Sequence, residues 1–133
     1  MCGSSLQNSI TCPAASHHPS SPSRLAVCLD ILKLTSLFER RVFSASNVER
    51  GKPCPDIFLH ASAGVGVPPS ECIVIEDSIS GVRAGRAAGC TVVGLLAAGH
   101  LCEGHGARLR EAGAHYLASD YCEMERLVGE LIR

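Results

Sequence analysis

The sequence predicts an α/β fold, a parallel sheet flanked by helices, and three features of its 133 residues point there. Apolar positions switch along the chain between short continuous runs and a spacing near 3.6, the pattern of strands alternating with helices. The run Cys72-Ile73-Val74-Ile75 is apolar throughout, as expected of a parallel strand buried on both faces. Gly89 and Gly113 stand where two helical segments must stop before a strand begins.

Taken in order, residues 1–23 stand apart. They hold seven serines and no Asp, Glu, Lys or Arg, so Arg24 is the first formal charge. They lack the basic start and apolar run of a secretory signal and the arginines of a transit peptide. An atypical, partly disordered segment is expected there, ahead of one domain over 24–133. Ser21 and Pro22 offer an N-cap and a first-turn proline to a helix whose Leu25, Cys28, Leu29 and Leu32 share a face. Arg41 to Ser46 reads as a short strand. Pro55 opens a second helix, with Ile57, Phe58, Ala61 and Val65 on one side. Cys72 to Glu76 is the next strand, followed by a helix of small residues ending at Ala88. Thr91 to Leu96 is a strand, 103–112 a helix and His115 to Ser119 a weak strand. A last helix carries Met124, Leu127, Val128 and Leu131 on one face, capped by Ser119 or Asp120.

Composition excludes several classes of function. The formal charge of -1 gives no reason to expect nucleic acid as a partner. No apolar run approaches the ~20 residues that a membrane-spanning helix needs. None of the eight cysteines forms a C-x-x-C pair, and most sit among apolar neighbours. They are expected to be reduced, buried small hydrophobes, which favours a cytoplasmic location. Cys54, set between prolines, is the expected exposed thiol.

The strand Cys72 to Glu76 raises the chemical question, because Glu76 and Asp77 put two carboxylates side by side at its end. Ligands of open parallel sheets bind beyond the carboxyl ends of the strands. Mg²⁺ takes hard oxygen donors, usually one or two carboxylates with several waters. Ser78 can cap the following helix, and Gly81 lets its first turn come close to a ligand. The plainer alternative is an acidic pair that ends a strand and stabilises a helix start. Gly51-Lys52-Pro53-Cys54-Pro55-Asp56 is a loop stiffened by two prolines around a lysine. That lysine could offset a phosphate and the nearby acids, or simply be solvated. Asp56 is expected to serve the helix N-terminus rather than catalysis.

The stretches VFSASNVERGKPCPDIFLHAS and GVPPSECIVIEDSISGVRAGRAAGCTVVGL together resemble the haloacid dehalogenase superfamily. The nearest subgroup is the β-phosphoglucomutase-like sugar-phosphate phosphatases. The likeness runs continuously from about Arg24 to Leu95, and the joint occurrence of KPxPD, the interval to Glu76 and EDSxxGVxAxxAAG makes it specific. It implies a Rossmann-like fold and phosphoryl transfer through an aspartyl-phosphate, with Mg²⁺ as cofactor and a small phosphorylated metabolite as substrate. Lys52 matches the lysine that steadies nucleophile and phosphate. Glu76 and Asp77 match the acidic metal pair, with Asp77 the direct ligand and Glu76 binding directly or through water. Ser78 is a further phosphate contact. The hydroxyl that donates to phosphate falls on Ser16 or, with a better distance to the helix, on Ser20; Ser16 is preferred.

The resemblance also exposes a departure. Complete members use the first Asp of a D-x-D motif as nucleophile, whereas these residues contain no D-x-D, and the first acid is Asp30 inside a helix. The helical cap domain that selects substrate has no counterpart either. The expectation is therefore an N-terminally incomplete core that lacks the family's first central strand and is inactive alone. Its exposed strand edges would invite self-association. A non-catalytic phosphate- or protein-binding module is the alternative, and a third reading has a partner chain donate the missing strand. Arg83 and Arg86 are expected to face solvent, and no histidine is assigned a role.

Overall fold

The computed structural model describes residues 22–38, 41–97 and 103–133. Three short strands lie parallel in the order β1 (Ile73–Glu76), β2 (Thr91–Leu95) and β3 (Tyr116–Ala118). Glu76 pairs with Gly94, and Leu95 with Ala118, so the carboxyl ends of the strands fall along one rim of the sheet. Before β1 come α1 (Pro22–Ile31), α2 (Thr35–Phe38) and α3 (Asp56–Val65). The strands are followed in turn by α4 (Ile79–Ala87), α5 (His105–Ala112) and α6 (Tyr121–Leu131). Such strand–helix alternation needs a crossover between parallel neighbours, which each intervening helix supplies.

The core forms where α4 and α5 meet the sheet. Val74, Val82, Cys90, Val92 and Leu109 are buried there, with Phe58, Ile79, Leu96 and Leu117 packed around them. Gly85 sets the closeness of that packing. A Cβ on it would lie 2.9 Å from a methyl of Val92 and 3.2 Å from one of Val74. Gly89 and Gly113 end their segments with positive φ, 85° and 112°, as the sequence requires of helix stops.

Four expectations need correction. No strand forms over residues 41–46: the Ser44 side chain instead accepts from Ser46 N, capping a 3₁₀ turn over Ala45–Asn47. Local serine bonds of this kind compete with ladder pairing when no neighbouring strand is at hand. β1 is not buried on both faces. Val74 is buried but Ile75 is 43% exposed, and among the described residues β1 pairs with β2 alone. The apolar face of α1 is only partly used, with Leu25 and Leu29 half-buried but Cys28 and Leu32 exposed. Cys54 is buried and disulfide-bonded; among the described residues Cys28 and Cys122 are exposed free thiols, Cys72 is half-buried and Cys90 buried.

Asp120, rather than Ser119, caps α6: its carboxylate accepts from Glu123 N at 2.8 Å, and Glu123 accepts from Ser119 N at 2.8 Å. Residues 1–21, with the expected cap Ser21, lie outside the described residues, and Pro22 and Ser23 already belong to α1.

Candidate phosphate and metal site

The site is assembled by two loops meeting at the end of β1. The first carries Lys52. It is closed by a hydrogen bond from Cys54 N to Gly51 O at 3.0 Å and contains a cis Lys52–Pro53 peptide. Arg50 spans it, donating through two nitrogens to the two carboxylate oxygens of Asp56 at 2.8 and 3.2 Å. The hydrogen bond to Arg50 holds the Asp56 carboxyl below its ordinary value, and the same contact raises Arg50. Asp56, the first residue of α3, thus ties its helix to the loop, in line with the structural role expected of it.

The second loop follows β1. Lys52 Nζ forms an ion pair with Glu76 Oε1, and Ser78 Oγ donates to Glu76 Oε2 at 3.1 Å. Ser78 Oγ also accepts from Gly81 N at 3.0 Å, making it the N-cap of α4. A Cβ on Gly81 would overlap the Glu76 carboxylate, so the close approach this glycine allows is to that acid. The Glu76 side chain is 10% exposed and that of Lys52 36%, which leaves their pair shielded on one side. Lys52 also stands 5.3 Å from the Phe58 ring centre.

Asp77 differs from its neighbour. Its carboxylate is exposed and has no hydrogen bond or ion pair among the described residues. Its backbone oxygen accepts from His105 Nε2 at 2.7 Å, which links the strand end to the first residue of α5. Lys52, Glu76 and Asp77 share a cavity of about 310 Å³ with Ile75, Leu95 and Tyr121. Two acids against one cation leave the cavity with an excess negative charge, and hard carboxylate oxygen is the donor Mg²⁺ prefers. Asp77 fits a magnesium ligand as it stands, whereas both oxygens of Glu76 are engaged by Lys52 and Ser78. No group of three or more His, Cys, Asp or Glu converges among the described residues, so water would complete such a shell.

The structure therefore brings Lys52, Glu76, Asp77 and Ser78 together. Ser16 and Ser20 lie outside the described residues, as do His17, His18 and His100. Arg83 and Arg86 are exposed, as expected, and Arg86 contacts His115 Nε2. Sequence reasoning passed over Leu95, Tyr121 and His105. The first two follow from the strand-end rule once applied to β2 and β3 as well as β1. His105 had no signal of its own, because its partner is a backbone oxygen 28 residues away.

The site is thus a lysine and two acids gathered at the carboxyl end of one strand of a parallel α/β sheet. The family model for haloacid dehalogenase-like hydrolases matches residues 15–89, and the chain belongs to that family. It is 44% identical over 66 residues to hexitol phosphatase A of Escherichia coli, a match covering 49% of this chain and 31% of that protein. It is 43% identical over 75 residues to β-phosphoglucomutase of Mycobacterium bovis, covering 56% of this chain and 28% of that one. A conserved haloacid dehalogenase-like protein from Agrobacterium tumefaciens superposes with a TM-score of 0.78 at 36% identity. That superposition covers 86% of this chain and 52% of the other. The chain thus spans about half of that solved structure and less than a third of these curated relatives.

Proposed function

We propose that this chain binds the phosphate of a small phosphorylated metabolite, a sugar phosphate, at Lys52, beside a Mg²⁺ held by the acidic pair Glu76 and Asp77, and does not by itself turn it over. The observation that carries the reading is the ion pair of Lys52 with Glu76 beside the free carboxylate of Asp77 at the end of β1, in a chain without a D-x-D motif. The names of its relatives, a hexitol phosphatase and a β-phosphoglucomutase, support the substrate class.

Electrostatics set the order of events. With one cation facing two carboxylates, the side chains lining this cavity repel an anion by themselves. Mg²⁺ held by Asp77 would supply the positive charge that makes a phosphate welcome. Lys52 then serves the phosphate by turning from Glu76, a short movement for a flexible ammonium. Ser78 already donates to Glu76 and accepts from Gly81, so its hydroxyl reaches phosphate only by giving up the acid. Ser16 belongs to the proposal as a second hydroxyl donor. Without a carboxylate nucleophile no aspartyl-phosphate forms, and binding stops short of hydrolysis.

Calorimetric titration of the full chain with inorganic phosphate tests the reading. Saturable binding is expected with Mg²⁺ and not without it, and is lost in Lys52→Ala and in Asp77→Ala. Release of phosphate from glucose 6-phosphate that disappears in Asp77→Ala would overturn the inactive assignment.

A further inference from the structure

The cavity at the end of β1 is lined by charged and apolar residues together: Lys52, Glu76 and Asp77 with Ile75, Leu95 and Tyr121. Tyr121 is the first residue of α6, directly after the cap Asp120, and it is 65% exposed. Tyr121 lines the cavity while leaving most of its surface to solvent. The start of α6 offers no second anion site. Asp120 accepts from Glu123 N, and Glu123 turns its own carboxylate back to Ser119 N, so two acids already crowd that end. What α6 contributes to the cavity is therefore an aromatic ring and not a positive pole.

We infer that Tyr121 is a specificity-determining residue: its ring packs against the organic part of a phosphate monoester whose phosphate is held at Lys52. The inference rests on the phosphate-binding reading above and adds which part of the ligand is discriminated. A phosphate monoester has a charged end and an organic end, and this cavity has both charged and apolar lining residues to meet them. A sugar ring presents an apolar C–H face to an aromatic ring, and such contact covers surface that is otherwise hydrated. The side chain works through area and shape, so its hydroxyl is dispensable.

The test compares two probes, inorganic phosphate and glucose 6-phosphate, on the full chain with Mg²⁺. In Tyr121→Ala, affinity for glucose 6-phosphate should fall about threefold to tenfold, while inorganic phosphate binds as before. Tyr121→Phe should restore the sugar phosphate. If both probes weaken equally in Tyr121→Ala, the residue supports the fold and the inference fails. If glucose 6-phosphate is unaffected, the inference fails while the phosphate site stands. If the unaltered chain binds neither probe, the phosphate-binding reading itself falls and takes the inference with it.

Discussion

Helices α1 and α4 are nearly the same length, 10 and 9 residues, yet they meet opposite fates. α1 carries the larger apolar side chains, and none of its residues is buried. α4 is built mostly from Gly, Ala and other small residues, with Ile79, Val82 and two arginines, and buries Gly81, Val82, Ala84 and Gly85. The difference teaches that apolar spacing gives a helix a face but not a partner. Small residues let the axis of α4 settle onto β1 and β2, where contact replaces water over the whole length. α1 packs on α2, and Val27 and Ile31 remain 57% and 73% exposed.

The sharpest way to break this comparison is a matched pair of substitutions. Val82→Asp places a carboxylate in a fully buried position and should cost more than about 4 kcal/mol, enough to abolish cooperative folding. Val27→Asp on α1 should shift stability by no more than about 0.5 kcal/mol. Urea unfolding followed by circular dichroism reads both. Comparable losses at the two sites would mean that α1 is as deeply engaged as α4 and would remove the contrast.

The same contrast explains what was legible in the sequence. The strands of the C-terminal half, their parallel direction and the helix stops at Gly89 and Gly113 came from local pattern, because periodicity and the alternation of strand with helix decide them. The Lys52–Glu76–Asp77 grouping came instead from the resemblance to the family, since the local pattern alone left Lys52 as a possible solvated lysine. The expected strand over 41–46 failed because a strand needs a neighbour, and pairing is not a local property. The exposure of Ile75 was misjudged for the same reason: its run says apolar, while burial depends on what lies beside β1. Cys54 was misread from its flanking prolines, since loop chemistry does not reveal which side chain the loop turns inward. Tyr121 and His105 reach the site only through the packing of α5 and α6 against the sheet.

A smaller effect probes whether α4 is held by its packing or by its start. Ser78→Ala removes the cap that accepts from Gly81 N and the hydroxyl that donates to Glu76. It should cost about 1 kcal/mol, the usual value of a lost N-cap. Because Glu76 keeps Lys52 as a partner, the chain should stay folded, with a lower urea midpoint and an unchanged slope. A loss as large as that of Val82→Asp would show that the cap, and not the burial of Val82 and Gly85, anchors the helix.

The mildest effect is a pH dependence confined to the α4 side. His115 touches Arg86 of α4 and accepts from Val92 N of β2 at 2.9 Å. Burial first, and the Arg86 charge second, hold its imidazole below the ordinary value of about 6.5. A group whose native value is depressed binds its proton more readily when unfolded. Its contribution is therefore complete above about pH 6.5 and is lost as pH falls from there through the lower native value. Protonation would also take away the acceptor that serves Val92 N. The residue as a whole is exposed and its imidazole only partly covered, so solvent screening keeps the effect to a fraction of a kcal/mol. Asp56 and Glu123, also depressed, follow the same sign but only in the more acidic carboxylate range. Urea midpoints at about pH 8 and about pH 5.5 bracket the histidine window. The native chain should lose more stability between them than His115→Gln, which keeps an acceptor but does not titrate there. Equal losses would place the acid sensitivity elsewhere and leave the Arg86–His115–Val92 link between α4 and the sheet without a titrating member.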